Sequence, residues 1–599
     1  MQAPFISFNA FSTKGTKSIN QDAYICECLN KDEGPSKQVS ESKNCESKRP
    51  IHLFAIADGV SSSTVSQWAS DYATSQFLKL FKLAPEQWSI AETATTIIQE
   101  INALLYTKNQ NSAFCYTPEK GYVCTFSLLI LTSHTMHVFH IGDGEIKQAI
   151  DDDVSTLTNI HREVSSESSA HSYLSNALGI SAQVEIEVAE YPIAADCTFA
   201  ICTDGVYEHI DMCEALTHIR NSKSLAENEA EKVVQQAIDN GSNDNLTLIL
   251  ITISGITGIK NDTIQLSQKP HAIVEVPELS VGETIDGLTI KRQLYTSARS
   301  HVFLASSDRK TYEQKTKSTS IVLKIPATEF VQTEALVKQF SIEAFLTRRI
   351  HSPHVIKSEY LQDHCVIHSP SREYSLYQYI EGQTLSQWVL DNPRPTLEQV
   401  RNIVEQVAMG LQALHRQGII HQDVRPDNIM INREGHCTII DLGAAALINA
   451  PSLYCENPIP GTALYSAPEY FLGEVGTPQS DQFSLAVLAY FLLCGRYPYG
   501  TKVAHCQTVS AQNKLKYQST INTTRSIPLW VDNTLRRALH INPTKRFSSL
   551  SEFTFALRYP NPSQYNSHVP LIQRHPLVVY KALVLLLVFT NLVTLVLYN

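Results

Sequence analysis

The sequence predicts a multi-domain α+β chain, with two large folded regions followed by one apolar C-terminal helix. Three observations predict it. At 599 residues the chain has room for regions of roughly 250 and roughly 275 residues, each able to bury its own core. Two polar stretches divide it: residues 29–50, an exposed insertion between the first two strands, and residues 254–284, a linker part of which packs on the second region. Finally, residues 582–598 are apolar, with no charged group after Lys581. The predicted boundaries are 1–253, a linker 254–284, 285–560, a juxtamembrane segment 561–576 and a helix 577–598.

Composition excludes some classes. A net charge of -11 argues against a nucleic-acid surface. The thirteen cysteines form no metal or disulfide framework, which fits a reducing compartment. The 21 histidines carry no metalloprotease spacing.

In the first region four aspartates sit in short turns beside apolar β-rich runs: Asp58 in FAIADGV, Asp143 in FHIGDGE, Asp204 in FAICTDGV and Asp244 in GSNDNLTLILI. One antiparallel sheet would deliver all four carboxylates to a single edge, where oxygen ligands suit hard divalent cations. In order and separation these motifs resemble the metal-dependent protein phosphatases of type 2C, over residues 6–253. The resemblance implies an α/β/β/α sandwich that hydrolyses phosphoserine and phosphothreonine in proteins. It also implies that Asp58 bridges two Mn²⁺ or Mg²⁺ ions with help from the Gly59 carbonyl. Asp204 and Asp244 would hold one ion, and Asp143 would support the cluster or a further ion. Two such ions activate a water for in-line attack on the ester.

The family's opening motif, Arg-x-x-Asn-Glu-Asp, here reads KSINQD. Lys17 stands for the arginine that receives phosphate, exchanging a fork for a point charge. Gln21 replaces a carboxylate that contacts one metal, which weakens that site, and Asp22 keeps the second acid. Thr125 and Ser127, in VCTFSLLI, read as packing.

In the second region the run IVLKI predicts a strand carrying Lys324, and FSIEAFLTRRI an amphipathic helix carrying Glu343. The stretch HQDVRPDNIMINREGHCTIIDLG then sets Asp423, Asn428 and Asp441 at informative spacing. Asp423 can accept a hydroxyl proton, Asn428 and Asp441 offer hard oxygens to Mg²⁺, and an apolar hairpin returns Asp441 to the loop of Asn428. These motifs resemble protein Ser/Thr kinases over residues 285–560, implying a bilobal fold that uses ATP and Mg²⁺. By resemblance Lys324 clasps the α- and β-phosphates and pairs with Glu343. The hinge LYQYIEG, with Tyr379, holds adenine; Ala467, Pro468 and Glu469 close the activation segment; and Arg546 pairs with Glu469.

The phosphate-covering loop departs from that pattern. Tyr295, Ser297 and Ser300 occupy the places of its three glycines, ahead of Val302. Glycine serves there because backbone must approach phosphate closely, so slow transfer is expected. Arg425 replaces a lysine near the transferred phosphoryl group. Gln422 replaces the arginine that holds a phosphorylated activation loop, leaving Thr462 and Tyr465 as candidate modification sites.

The terminal run spans ~25 Å as a helix, and residues 577–580 lengthen it if Lys581 snorkels. Arg574, His575 and Lys581 precede it, so the positive-inside rule leaves both domains cytoplasmic, on a single-pass C-terminal anchor in the inner (cytoplasmic) membrane. The expectation is a membrane-tethered, bifunctional bacterial-type kinase and phosphatase acting on protein Ser/Thr, with no nucleic-acid partner. One rival is an active phosphatase governed by a nucleotide-binding pseudokinase. The other is an active kinase with a degenerate phosphatase that docks phosphoproteins.

Overall fold

The computed structural model describes residues 5–29, 51–85, 88–132, 135–150, 153–164, 172–193, 197–221, 225–226, 228–254, 279–285, 287–297, 299–307, 319–327, 334–358, 374–448, 462–522, 527–560 and 576–597. Most of the insertion 29–50, the linker 254–284 and the juxtamembrane segment 561–576 therefore lies outside the described residues. Compactness divides the chain into two units, Met1–Arg349 with Ser358–Gln378, and Ile350–Lys357 with Tyr379–Asn599.

The first unit begins with β1 (Phe5–Thr13), β2 (Asp22–Leu29), β3 (Ile51–Asp58), α1 (Ser66–Leu83) and α2 (Ile90–Gln110). There follow β4 (Phe126–Leu131), β5 (Thr135–Ile141), β6 (Glu145–Ile150), β7 (Asp153–Thr156), β8 (Arg162–Val164), β9 (Ser172–Leu174), β10 (Glu187–Pro192) and β11 (Cys197–Cys202). The turn α3 (Asp204–Tyr207), the helices α4 (Met212–Asn221) and α5 (Glu229–Asp239), and β12 (Leu246–Ser254) complete this part. The polar insertion falls between β2 and β3, because Phe5–Thr13 forms a strand ahead of both.

Two antiparallel five-stranded sheets result, ordered β1-β12-β11-β6-β7 and β10-β5-β4-β3-β2. Alternation along each strand sends Phe54, Ile56, Leu129, Val138, Phe199, Ile249 and Ile251 into the core between them. The opposite face of the first sheet, with Ala200, Leu248 and Leu250, packs under Leu216 of α4 and Val234 of α5. On the second sheet Phe77 of α1 meets Phe126 with ring centroids 5.5 Å apart. The layers are helix, sheet, sheet, helix.

The same unit contains a third antiparallel sheet of β13 (Thr284–Ile285), β14 (Leu288–Thr296), β15 (Ser300–Ser307), β16 (Thr319–Pro326) and β17 (Ser375–Gln378), with the helix α6 (Glu334–Arg348). Leu279, near the end of the predicted linker, packs against its core of Ile290, Phe303, Leu323 and Leu376.

The second unit holds β18 (Gly382–Thr384), α7 (Leu385–Asp391), α8 (Leu397–Arg416), β19 (Ile419–Ile420), β20 (Ile429–Asn432), β21 (Cys437–Ile439) and β22 (Ala446–Leu447). Thr396 and Gln399 cap α8 reciprocally, and Val400, Ile403, Val407, Leu411 and Leu414 form its buried stripe. The helix Pro478–Cys494 is buried around nearly its whole circumference and stops at Gly495, whose φ of 66° is left-handed.

A terminal helix runs over Pro576–Leu597. Its described side chains cover residues 579–591, ~20 Å of helix. Among the described residues no helix is long and apolar enough to cross a membrane.

Candidate active sites

The first candidate site lies where strand ends of the two β-sheets meet. The single-sheet expectation for the four aspartates is corrected. Asp58 ends β3 and belongs to the second sheet, whereas Asp204 and Asp244 follow β11 and precede β12 of the first. Asp143 occupies the β5–β6 turn that passes between the sheets. Asp22 opens β2 in register with Asp58.

Asp22 is buried, and its Oδ2 accepts hydrogen bonds from Thr247 Oγ1 at 2.6 Å and Thr203 Oγ1 at 3.4 Å. Its Oδ1 is buried and meets no N–H or hydroxyl donor. Burial, above all, pushes this carboxyl up to about 6, the hydrogen bonds it accepts from Thr247 and Asp58 opposing it. Burial also raises Asp58 well above the carboxylate range, and the charges of Asp22, Asp204 and Asp143 raise it further. Asp204 is pushed up to about 7 by burial and then by Asp143, against the pull of Arg162. Carboxylates that crowd one another out of water are a site short of positive charge, which is the condition divalent cations relieve. The donor set, all hard oxygen, fits Mn²⁺ or Mg²⁺.

Two cations of the chain itself stand at this site. Lys17 Nζ pairs with Asp244 and donates to Ser61 Oγ at 2.6 Å. Arg162 on β8 was not singled out from the sequence, yet it is central. Its guanidinium joins Asp143 at 2.7 Å, Glu208 at 2.7 Å and Asp204. No local pattern marks it, since its partners lie in two distant turns. Gln21 commits its amide to Ser63 O and Ser66 Oγ, both at 2.7 Å, at the start of α1.

Thr125 and Ser127 do more than pack. Thr125 Oγ1 accepts from Asp58 N at 3.1 Å, while its own N–H donates to Asp58 O at 2.8 Å. Ser127 Oγ lies 2.9 Å from His140 Nδ1, whose Nε2 is 2.9 Å from Gly142 O, next to Asp143. Glycine is required on the turns of both Asp58 and Asp143. A Cβ on Gly59 would come 2.8 Å from Gln21 O, and one on Gly142 2.5 Å from Thr125 Cβ. Among the described residues, the one set of three metal-ligating groups with atoms within 4.8 Å is His140, His161 and Glu187. His140 has both ring nitrogens engaged and His161 Nδ1 accepts from Gly142 N at 3.1 Å, so the two histidines hold the Asp143 turn, while Glu187 accepts from Asn159.

In the third sheet Lys324 on β16 donates to Glu343 Oε1 at 2.8 Å and Oε2 at 2.6 Å. Glu343 on α6 is buried and also accepts from Tyr377 Oη at 3.3 Å. Val302 pairs directly with Lys324 across the ladder. Tyr295 is exposed, Ser297 half-buried and Ser300 buried. Ser297 Oγ accepts from the N–H of Arg299 at 3.2 Å and of Ser300 at 3.1 Å. Backbone donors that a glycine loop would turn to phosphate are thus taken by a side chain.

The second unit builds the loop of Asp423 by itself. Asp423 Oδ1 accepts from Thr462 N at 2.8 Å and Oδ2 from Asn428 Nδ2 at 2.9 Å. Ile440 N donates to Asn428 O at 3.0 Å, so the β20–β21 hairpin brings Asp441 beside Asn428, and Asp441 Oδ1 accepts from Gly443 N at 3.1 Å. Arg425 donates to Asp427 Oδ2 at 2.9 Å and to Thr462 Oγ1. Tyr379 is half-buried.

Asp481 is the positioning residue that sequence reasoning missed. Fully buried, it accepts from His421 N and Gln422 N, both at 2.9 Å, and lies 2.8 Å from His415 Nε2. Burial works against its charge, but the His415 hydrogen bond and the nearby histidines hold the carboxyl below its ordinary range. An aspartate in the first turn of the apolar helix PQSDQFSLAVLAYFLLC was the available signal. Gln422 has the left-handed φ of 66°, unique among the described non-glycine residues. Arg546 forks onto Glu469 at 2.8 and 2.7 Å, both side chains buried. Tyr465 is buried, which removes it as an accessible modification site.

These arrangements define a chain that joins two phosphoryl-handling enzyme domains of opposite sense. Residues 43–248 match the family model described as Protein phosphatase 2C, and residues 306–557 that described as Protein kinase domain; the chain is a fusion of a domain from each family. It is similar to the serine/threonine-protein kinase drp72 of Corynebacterium efficiens, 27% identical over 263 residues, which are 42% of this chain and 48% of that protein. It is also similar to the serine/threonine-protein kinase PrkC of Bacillus subtilis, at 25% identity over 39% of this chain and 35% of that one. The chain spans less than half the length of these curated relatives.

Among solved structures, a bacterial serine phosphatase matches at 17% identity with a TM-score of 0.34, over 42% of this chain and 99% of its own. The catalytic domain of the serine threonine protein phosphatase PstP, solved in complex with 2 manganese ions, matches at 16% identity with a TM-score of 0.32, over the same shares.

Proposed function

We propose that this chain both phosphorylates protein Ser/Thr with ATP and removes phosphate from phosphoserine and phosphothreonine. The observation that carries the reading is the coexistence of two constellations in one chain. The Lys324–Glu343 pair and the Asp423–Asn428 loop serve transfer, and the crowded carboxylates of Asp22, Asp58 and Asp204 serve hydrolysis.

In the kinase reading Asp423 orients the substrate hydroxyl and takes its proton on a carboxylate oxygen, while Arg425 adds positive charge near the moving phosphoryl group. Lys324 holds the α- and β-phosphates, in an orientation that Glu343 fixes; Tyr295, Ser297, Ser300 and Val302 border the phosphates and Tyr379 the adenine. Asn428 and Asp441 would hold Mg²⁺. In the phosphatase reading Asp58, Gly59, Asp204, Asp244 and Asp22 would hold two Mn²⁺ or Mg²⁺ ions, with Asp143 in support. Bound there, the ions supply a nucleophilic water at neutral pH. Lys17 receives the phosphate as a point charge, and Arg162 orients Asp143 and Asp204. Gln21, lacking a carboxylate's charge and tied to Ser63 and Ser66, raises the metal requirement.

We extend the reading to an inner-membrane anchor at residues 577–598, with the catalytic domains in the cytoplasm. The side chains at 583–589, all large and apolar, are exposed on their helix, a surface that water disfavours. Full-length protein should pellet with membranes and resist alkaline extraction; release by alkali would remove the anchor. The pseudokinase reading is favoured by one observation, the Ser297 hydroxyl that consumes the lid amides. Incubation with labelled ATP and Mn²⁺, comparing wild type, Asp423→Ala and Asp58→Ala, tests the main reading. Tight ATP binding without transfer selects the pseudokinase.

A further inference from the structure

The helix that carries Glu343 is gripped from the phosphatase domain. Trp88, in the turn between α1 and α2, packs its ring 5.4 Å from that of Phe345 on α6. Both rings are buried, Phe345 completely. Arg349, directly after α6, forms a two-pronged pair with Glu100 of α2, one prong at 3.2 Å, with side-chain exposures of 6% and 13%. The same guanidinium lies 5.4 Å over the Phe345 ring, and Arg348 Nη1 donates to Leu83 O at 3.4 Å. An aromatic anchor with a desolvated arginine fork beside it is the composition of an interface hot spot. It is not that of an incidental surface contact.

Phe345 lies two residues beyond Glu343 on α6 and Arg349 directly follows the helix, so the grip and the Lys324 pair move together. We propose that the phosphatase domain is an intramolecular clamp on α6, and that its Trp88–Glu100 face sets whether Glu343 engages Lys324. The kinase is then switched by docking of the neighbouring domain, which suits a chain in which Gln422 replaces the arginine of phosphorylation-switched loops. The proposal rests on the kinase reading for its consequence. The docking itself is tested independently.

The experiment uses the full chain with Glu100→Arg, Arg349→Glu and the two together. Hydrogen exchange of the α6 amides is the primary readout, with β3 to β5 as an internal measure of folding. Each single variant should speed α6 exchange by about tenfold and the charge swap should restore it. Labelling from ATP should follow the same pattern, while hydrolysis of a small phosphoester stays at the wild-type rate in all three. Unchanged α6 exchange in Glu100→Arg overturns the clamp. So does a double variant no better than the sum of the singles. Restored exchange with no ATP labelling even in wild type keeps the clamp and overturns the kinase reading instead. Trp88→Ala gives a second, uncharged test, and α6 exchange equal to wild type there also contradicts the proposal.

Discussion

Lys324 gives two hydrogen bonds to Glu343, at 2.8 and 2.6 Å, and the pair is nearly closed to solvent, at 15% and 4% side-chain exposure. Removing one member strands the other charge in a desolvated site, at a cost of ~3–5 kcal/mol locally. Glu343→Gln should therefore lower ATP-dependent labelling at least tenfold while leaving phosphoester hydrolysis intact, as measured by initial rates. Equal labelling by the variant would remove Glu343 from the phosphate-holding apparatus.

Ser297 Oγ accepts from the N–H groups of Arg299 and Ser300, the amides that the proposed phosphate lid would offer to ATP. Ser297→Gly should free the N–H groups of Arg299 and Ser300 and tighten ATP by a few-fold, about one hydrogen bond's worth. Equilibrium titration of ATP on the two proteins checks this.

Arg546 is buried and spends its donors on Glu469, Gln479 O, His540 O and Ile541 O. Lysine cannot reproduce the fork. Arg546→Lys should lower the Tm of the transition that contains this unit by about 10 °C, since a broken buried pair costs a few kcal/mol. A calorimetric scan unchanged from wild type would contradict the role assigned to the pair.

The phosphatase carboxylates set a pH dependence. Their folded pKa values are raised, Asp22 to about 6 and Asp204 to about 7, so the folded chain holds protons that the unfolded chain releases. Stability from these groups is full below the ordinary aspartate range and is lost as pH rises through about 6 to 7. Metal-free protein should thus melt lower at pH 7.5 than at pH 5.5, roughly spanning those values. Saturating Mn²⁺ should shrink the difference, because cations replace the protons. Arg162→Ala removes a cation that competes for Asp143 and Asp204 and should increase Mn²⁺ affinity by calorimetric titration.

Much of both sites was legible because phosphate chemistry demands particular side chains at fixed spacing along one segment. Lys324 in a β-branched run and Asp423 five residues before Asn428 are such cases. Contacts made through space were not legible. Arg162 finds its carboxylates in turns more than 15 residues away in either direction, and Asp481 reaches the loop of His421 and Gln422 from the distant helix Pro478–Cys494. The single-sheet expectation failed for a related reason. Asp-Gly turns reveal where strands end, and sheet membership depends on pairing that no local pattern records. The role of Thr125 was hidden because a strand hydroxyl reads alike whether it packs or accepts from Asp58 N. The grip of Trp88 on Phe345 joins segments that read as separate domains, so no spacing announces it.

The central claim, that one chain adds and removes phosphate, is tested most directly by following labelled phosphate on a Ser/Thr protein substrate with full-length protein, ATP, Mg²⁺ and Mn²⁺. The account predicts that Asp423→Ala abolishes incorporation and that Asp58→Ala raises its steady level, because removal stops while addition continues. Incorporation unchanged by Asp423→Ala, or a steady level indifferent to Asp58→Ala, would contradict it.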